Sequence, residues 1–260
     1  MSKKISIFLD SGAFSAWSQG VNIDIDEYIA FIKEHEKYLD VYAVLDSIGD
    51  PALTLKNQQY MESKGVNPLP CFHYGEDISY LEHYLANYDY IAFGGMVPIS
   101  TPELLAWLDP IFKDYICDKD GMPRIKVHGF GITSLPLLLR YPWYSVDSTS
   151  WVMTGRFGSV FVPKRRNGKY VYNEIALKVV ISDKGDIGDG KHFKNFSQLE
   201  RQVIHEYFEE HGFTEQQLAE DYMARDRLNI QYFLDLEKNL PAWPWAFKLS
   251  NQFKGLGLRG

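Results

Sequence analysis

Cysteine occurs only twice in the 260 residues, at Cys71 and Cys117, which excludes a disulfide framework and a cysteine-rich zinc site. A buried structural thiol is the expected state of each. No stretch approaches the roughly 18 consecutive apolar residues of a membrane span, and Met1-Ser2-Lys3-Lys4 leads into a strand-like run without the apolar core of a signal peptide. The chain therefore reads as soluble and cytoplasmic, with no membrane partner. Positive charge is in deficit: the formal net charge is −7, which argues against indiscriminate polyanion binding and leaves only a local basic patch for phosphates. Internal repeats and low-complexity linkers are also missing, so a single domain over residues 1–260 is expected.

What is present is a series of short apolar, β-branched-rich runs, each stopping on a reactive or backbone-exposing residue. Up to residue 147 there are six. The stops are Asp10 after ISIFL, Asp46 after VYAVL, His73 after PLPCF, Gly94-Gly95 after YIAF, His128 after IKV and Asp147 after WYSV. Buried parallel strands read as such runs, and in barrels of alternating strands and helices the chemistry sits where the strands end. Helical signals lie between them. Residues 23–39 carry apolar positions at helical spacing, and Ser100-Thr101-Pro102-Glu103 offers a cap, a first-turn proline and a capping-box glutamate. Run, helix, run, helix predicts right-handed parallel crossovers over residues 1–150.

The texture changes after Asp147. Residues 151–195 read as a β-hairpin region, with residues 160–162 and 169–172 as strands around Arg165-Arg166-Asn167-Gly168, residues 176–181 as a third strand and residues 182–191 as a loop. Residues 196–260 read as C-terminal helices over 197–211 and 214–239, the second opened by a Thr214/Gln217 capping box, followed by a docked tail carrying Trp243, Trp245 and Phe247.

The strand ends share one local logic. Asp10-Ser11-Gly12-Ala13-Phe14, Gly94-Gly95-Met96 and His128-Gly129-Phe130-Gly131 put small residues where backbone amides can approach a ligand. With the carboxylates they describe a flat pocket suited to a planar heterocycle bearing both donors and acceptors. Ordinary structural roles compete for several of these positions. Asp46 could equally be a helix cap, His73 a satisfied strand-end histidine, and Lys164, Arg165 and Arg166 a solvated hairpin rather than a phosphate clamp.

At these residues the chain resembles the tRNA-guanine transglycosylase superfamily, and within it the smaller phage enzymes that place 7-deazaguanines into DNA. The family's Asp-Ser-Gly-Gly-aromatic motif stands here as Asp10 to Phe14 with Ala13 in place of a glycine; its base-reading aspartate matches Asp46; its Gly-Gly-Leu stretch matches Gly94-Gly95-Met96; and its Gly-Val-Gly stretch matches Gly129-Phe130-Gly131. Asp147, followed by Gly155, Arg156, Gly158 and Phe161, keeps the spacing of the nucleophile and its Gly-Arg-x-Gly signature. The resemblance covers residues 5–161 and implies an α/β fold, a TIM-like (β/α)8 barrel with a β-hairpin insertion and C-terminal helices. The cysteine-rich zinc region of the bacterial tRNA enzymes has no counterpart, which turns the expected substrate from tRNA towards DNA.

The resemblance implies base exchange. Asp147 is the nucleophile, Asp10 the proton shuttle, and Asp46 with the Gly94 and Gly95 amides the reader of the base. Phe14 and His128 would sandwich the base, with Gly129 and His73 beside it, and Arg156 with Lys164, Arg165 and Arg166 would hold the nucleic-acid backbone. The partners implied are DNA and a free 7-deazaguanine base as co-substrate, with no cofactor and no metal, and a homodimer is left open. The alternatives are a DNA glycosylase that hydrolyses the same ester, a tRNA-guanine transglycosylase, and a catalytically silent nucleobase-binding module.

Overall fold

Each of the six runs forms a strand, and the strands follow one another in chain order. The computed structural model describes residues 6–184 and 190–248. Among these residues no helix is long and apolar enough to cross a membrane. The chain divides into two compact units, the first holding residues up to Ile132 with Pro142–Val146 and Trp243–Lys248, the second Thr133–Tyr141 and Asp147–Ala242.

In the first unit β1 (Phe8–Leu9) pairs in parallel with β2 (Val41–Tyr42), and β3 (Cys71–His73), β4 (Tyr90–Gly94), β5 (Lys126–Gly129) and β6 (Ser145–Val146) form a four-stranded parallel sheet in that order. A parallel bridge between Ala43 and Leu69 joins the two sets. The strand order is thus the chain order, without the reversal of a doubly wound sheet. Four helices enter through side-chain caps. Asp24 accepts from Asp26 and Glu27 amides before α2 (Ile25–His35), Asp50 from Leu53 before α3 (Pro51–Ser63), and Asp77 from Ser79 before α4 (Ile78–Asn87). The Ser100/Glu103 capping box opens α5 (Thr101–Ile111), and α1 (Ala13–Gln19) follows the first strand directly.

Pairing register sorts the side chains into two faces. Cys71, Ala92, His128 and Ser145 are lateral neighbours on one face, while Phe72, Phe93 and Gly129 share the other. Phe72 and Phe93 meet Trp107 of α5, and Phe93 and Phe112 meet Trp143. The tail docks here as expected: Phe247 packs on Phe112, and its amide donates to the Gly121 carbonyl at 2.8 Å. On the first face Phe8 of β1 stacks on His128 of β5 with centroids 4.4 Å apart. Four flat inter-strand steps would separate those strands by about 19 Å, so the sheet is strongly curled.

The second unit contains α6 (Leu135–Arg140), α7 (Ser150–Arg156), β7 (Ser159–Val162), β8 (Lys164–Arg166), β9 (Lys169–Val171), β10 (Leu177–Val180), α8 (Gln198–Glu210), α9 (Glu215–Glu220) and α10 (Tyr222–Asn239). Two expectations need correction. The hairpin is β8 with β9, closed by the two-residue turn Asn167-Gly168, both with positive φ, whereas β7 pairs antiparallel with β10. The helix expected over 214–239 is broken at Asp221, whose carboxylate accepts from the Met223 amide and starts α10 afresh. Of the expected loop over 182–191, residues 185–189 lie outside the described set.

Buried polar groups lock this unit. Asn229 of α10 accepts from the Phe161 amide at 2.9 Å and donates to the Trp151 and Ser159 carbonyls. Arg225 donates to the carbonyls of Gly155 and of Leu218 and Ala219, satisfying carbonyls at the ends of α7 and α9. Asn229→Ala should destabilise the protein by about 3 kcal/mol, because buried backbone groups lose their partners. Denaturant unfolding checks this, and a loss within experimental error of zero would deny the network its role.

Candidate active site

Strand β1 ends at Leu9 and the chain turns at once through Asp10 and Ser11 into α1, with Gly12 at φ +75°. The Gly12 amide lies 3.3 Å from Asp10 Oδ1 and donates to it. Asp10 is solvent-exposed as a residue, yet its carboxyl is partly desolvated. That desolvation raises its pKa above the ordinary carboxylate value; the Gly12 amide opposes the rise and the charge of Asp46 adds to it. The Ser11 hydroxyl donates to Asp46 Oδ1 at 3.0 Å and accepts from the Ala13 amide. Asp46 is therefore not a helix cap, a role that Asp50 performs for α3.

The second oxygen of Asp46 meets His73 at the end of β3. His73 Nε2 lies 2.9 Å from Asp46 Oδ2, and Nδ1 lies 2.8 Å from Glu76 Oε1. The His73 amide donates to the other Glu76 oxygen at 3.0 Å. Burial opposes a charged ring; the contact with the Cys71 sulfur and the hydrogen bonds to Asp46 and Glu76 outweigh it, and the pKa rises well above the ordinary histidine value. Glycine at 94 is required by this arrangement, since a Cβ there would stand 2.8 Å from Cys71 Sγ and 2.9 Å from His73 Cδ2. Gly95, at φ +67°, turns the chain away immediately afterwards.

The structure thus brings Asp10, Asp46, His73, Gly94 and Gly95 together with Ser11, Glu76 and Cys71. Glu76 was assigned no role from sequence, while Cys71 is the buried thiol expected there. The His73-x-x-Glu76 spacing after a strand is the signal that could have found Glu76. Cys71 Sγ lies 3.5 Å from His73 Nε2, which has the outline of a thiol–imidazole–carboxylate triad. Burial of Cys71 pushes its thiol upward, and its side chain has almost no solvent access, so it is not a nucleophile.

Other predicted residues have their own neighbours. His128 is 2% exposed, Nδ1 lies 2.8 Å from Ser145 Oγ, and burial lowers its pKa to about 4. Its ring neighbours are Phe8 and Phe130, whereas Phe14, 53% exposed, faces Trp17. Gly129 serves packing, since a Cβ there would lie 3.1 Å from the Trp143 ring.

Asp147 follows β6 directly and belongs to the second unit, where it is exposed. The glycines of the Gly155-Arg156-Phe157-Gly158 signature have structural roles there. A Cβ at Gly155 would collide with Asp226 at 2.0 Å, and Gly158 has φ +81° beside Ser182. Arg156 is exposed in the last turn of α7. The hairpin cations are already paired: Arg166 with Glu174 through two hydrogen bonds, Lys164 with Glu174 at 3.4 Å, and Arg165 with Glu206. These partners favour a solvated ion-paired hairpin over a phosphate clamp. A cleft of about 320 Å³ in this unit, lined by Asp183, His192, Lys194 and Glu215 among others, contains none of the predicted residues.

Two measurements follow from the His73 group. Gly94→Ala should cost about 1–3 kcal/mol by forcing His73 or Cys71 aside, read by denaturant unfolding. A raised histidine pKa contributes stability that is fully present below the unfolded value of about 6.5 and is lost progressively as pH rises towards the folded value. Stability should therefore fall between pH 6 and pH 9, and His73→Asn should flatten that fall. A slope equal in the two proteins would show that the ring is not charged.

Comparison with known families, curated proteins and solved structures returned no match for this chain, so its functional reading rests on its own residues.

Proposed function

We propose that the protein exchanges guanine in DNA for a 7-deazaguanine base through a covalent aspartyl-glycosyl ester. The observation that carries this reading is the pair of carboxylates after β1 and β2, one with a raised pKa and one held by donors on both oxygens. A carboxyl whose pKa is raised by burial suits proton transfer to a leaving base, and a fixed carboxylate suits recognition of adjacent N–H groups. The uninterrupted strand order and the curl that brings β1 to β5 favour a (β/α)8 barrel as the frame, with these residues at the carboxyl ends of the strands.

In this mechanism Asp147 attacks C1′ of the target nucleotide while the bond from C1′ to guanine N9 breaks. Asp10 supplies the proton that the departing base takes up. The ester then yields to N9 of the incoming 7-deazaguanine, whose proton passes to Asp10, and the Asp147 carboxylate is released. A carboxylate suits such chemistry because it stabilises the oxocarbenium-like transition state before capturing it. Asp46 reads the ring N–H and the exocyclic amine, and the backbone amides of Gly94 and Gly95 serve the carbonyl. The target nucleotide must leave the base stack to reach these groups, at a cost of a few kcal/mol. DNA is the preferred polymer because the zinc region of the tRNA enzymes has no counterpart.

Asp147→Ala should abolish exchange and trapping of the ester while unfolding as the parent does, because an exposed strand-end side chain adds little packing. The assay follows radiolabelled guanine released from DNA with and without added 7-deazaguanine, with alkaline nicking as a second readout. Release that depends on the added base supports exchange; alkali-sensitive sites without it would assign the hydrolytic glycosylase instead. Exchange into tRNA but not DNA would overturn the substrate, and near-parental turnover by the alanine variant would remove Asp147 as nucleophile.

A further inference from the structure

His73 was expected to line the base pocket, but its surroundings suit another task. The residue is 6% exposed and both ring nitrogens are engaged, so neither is left for a ligand. Glu76 grips it twice, through Nδ1 and through the backbone amide. On the far side the ring meets Asp46 Oδ2, while Ser11 holds Oδ1 from β1. We propose that His73, braced by Glu76, is a positioning residue that fixes the Asp46 carboxylate with one donor on each oxygen and leaves its remaining lone pairs for two adjacent N–H groups of a planar base.

The inference rests on the reading of Asp46 as the group that faces the base. Its physical content is that two donors from different strands remove the rotation a lone carboxylate would keep. A ligand with two parallel N–H groups then binds without ordering that side chain. The charge balance belongs to the whole group: Asp46 and Glu76 are the carboxylates on the ring, Asp10 lies beside Asp46, burial raises the pKa of the Cys71 thiol, and Tyr84 of α4 faces both Glu76 and Cys71. The space that Gly94 leaves open is filled by His73 and Cys71. Each strand end thus contributes to the placement of one carboxylate.

Glu76→Gln tests this with little change in volume: the amide oxygen can still accept from the ring, while the charge and the second acceptor, which takes the His73 backbone amide, are lost. Affinity for guanine is measured by calorimetric titration from pH 6 to pH 9 in the full-length protein, its Glu76→Gln variant and its Asp46→Asn variant, with the ¹⁵N resonances of the His73 ring followed in parallel. In the parent the ring should carry protons on both nitrogens across this range and the affinity should be flat. In Glu76→Gln the ring should lose a proton within the range, and affinity should fall by about tenfold at the alkaline end, the scale of one charge-assisted hydrogen bond. Glu76→Asp should restore much of the flat profile. A purely structural role would lower thermal stability but leave the affinity profile of Glu76→Gln parallel to the parent; that result, with binding abolished in Asp46→Asn, would overturn the positioning role alone. Guanine binding that survives Asp46→Asn would overturn the reading of Asp46 and the positioning role with it.

Discussion

A single imidazole between two carboxylates sets the geometry at the end of three strands. His73 ties Glu76, in the turn after β3, to Asp46, after β2, and Ser11 extends the tie to the end of β1. Burying such charges is costly unless each is paired and hydrogen-bonded, and here every ring nitrogen and both Asp46 oxygens have partners. The group also dictates its neighbour in β4, where only glycine leaves room for the ring. Removing one partner would leave an uncompensated charge behind, so the members stand or fall together.

The second unit solves a different problem with similar means. Its β7–β10 pair and helices α8 and α10 enclose an apolar core of Val160, Val162, Val179, Ile204, Tyr207, Phe208 and Leu228. Arg225 and Asn229 run through it as polar ties that satisfy helix-end and strand-end backbone groups. The exposed hairpin, by contrast, balances its cations against Glu174 and Glu206 and adds little, since solvated ion pairs contribute weakly.

Much of the first unit was legible in its sequence because buried parallel strands need unbroken β-branched or aromatic runs, and the residue that ends each run is visible. The caps at Ser100 and Thr214 were readable for the same local reason: the hydroxyl and the acid or amide three residues on form a self-contained bond pair. What escaped notice depends on long-range register. His128 looks like a strand-end ligand in sequence, yet pairing places it beside Ala92 and under Phe8 in the core. Glu76 looks like a solvated loop acid until His73 is seen above it. The break at Asp221 was hidden because the apolar spacing continues through it. The hairpin slipped because the Val160 run pairs with a later strand rather than with its neighbour.

The stack of Phe8 on His128 has a bearing on how the first unit comes together. Its partners are more than a hundred residues apart in the chain, whereas every paired strand in that unit adjoins its successor. Successive pairings close modest loops, but the stack closes the whole series and carries the larger entropic cost. Assembly can therefore proceed from strand to strand in the order of synthesis, with the curl sealed last, when the aromatic ring of the first strand meets the imidazole of the fifth.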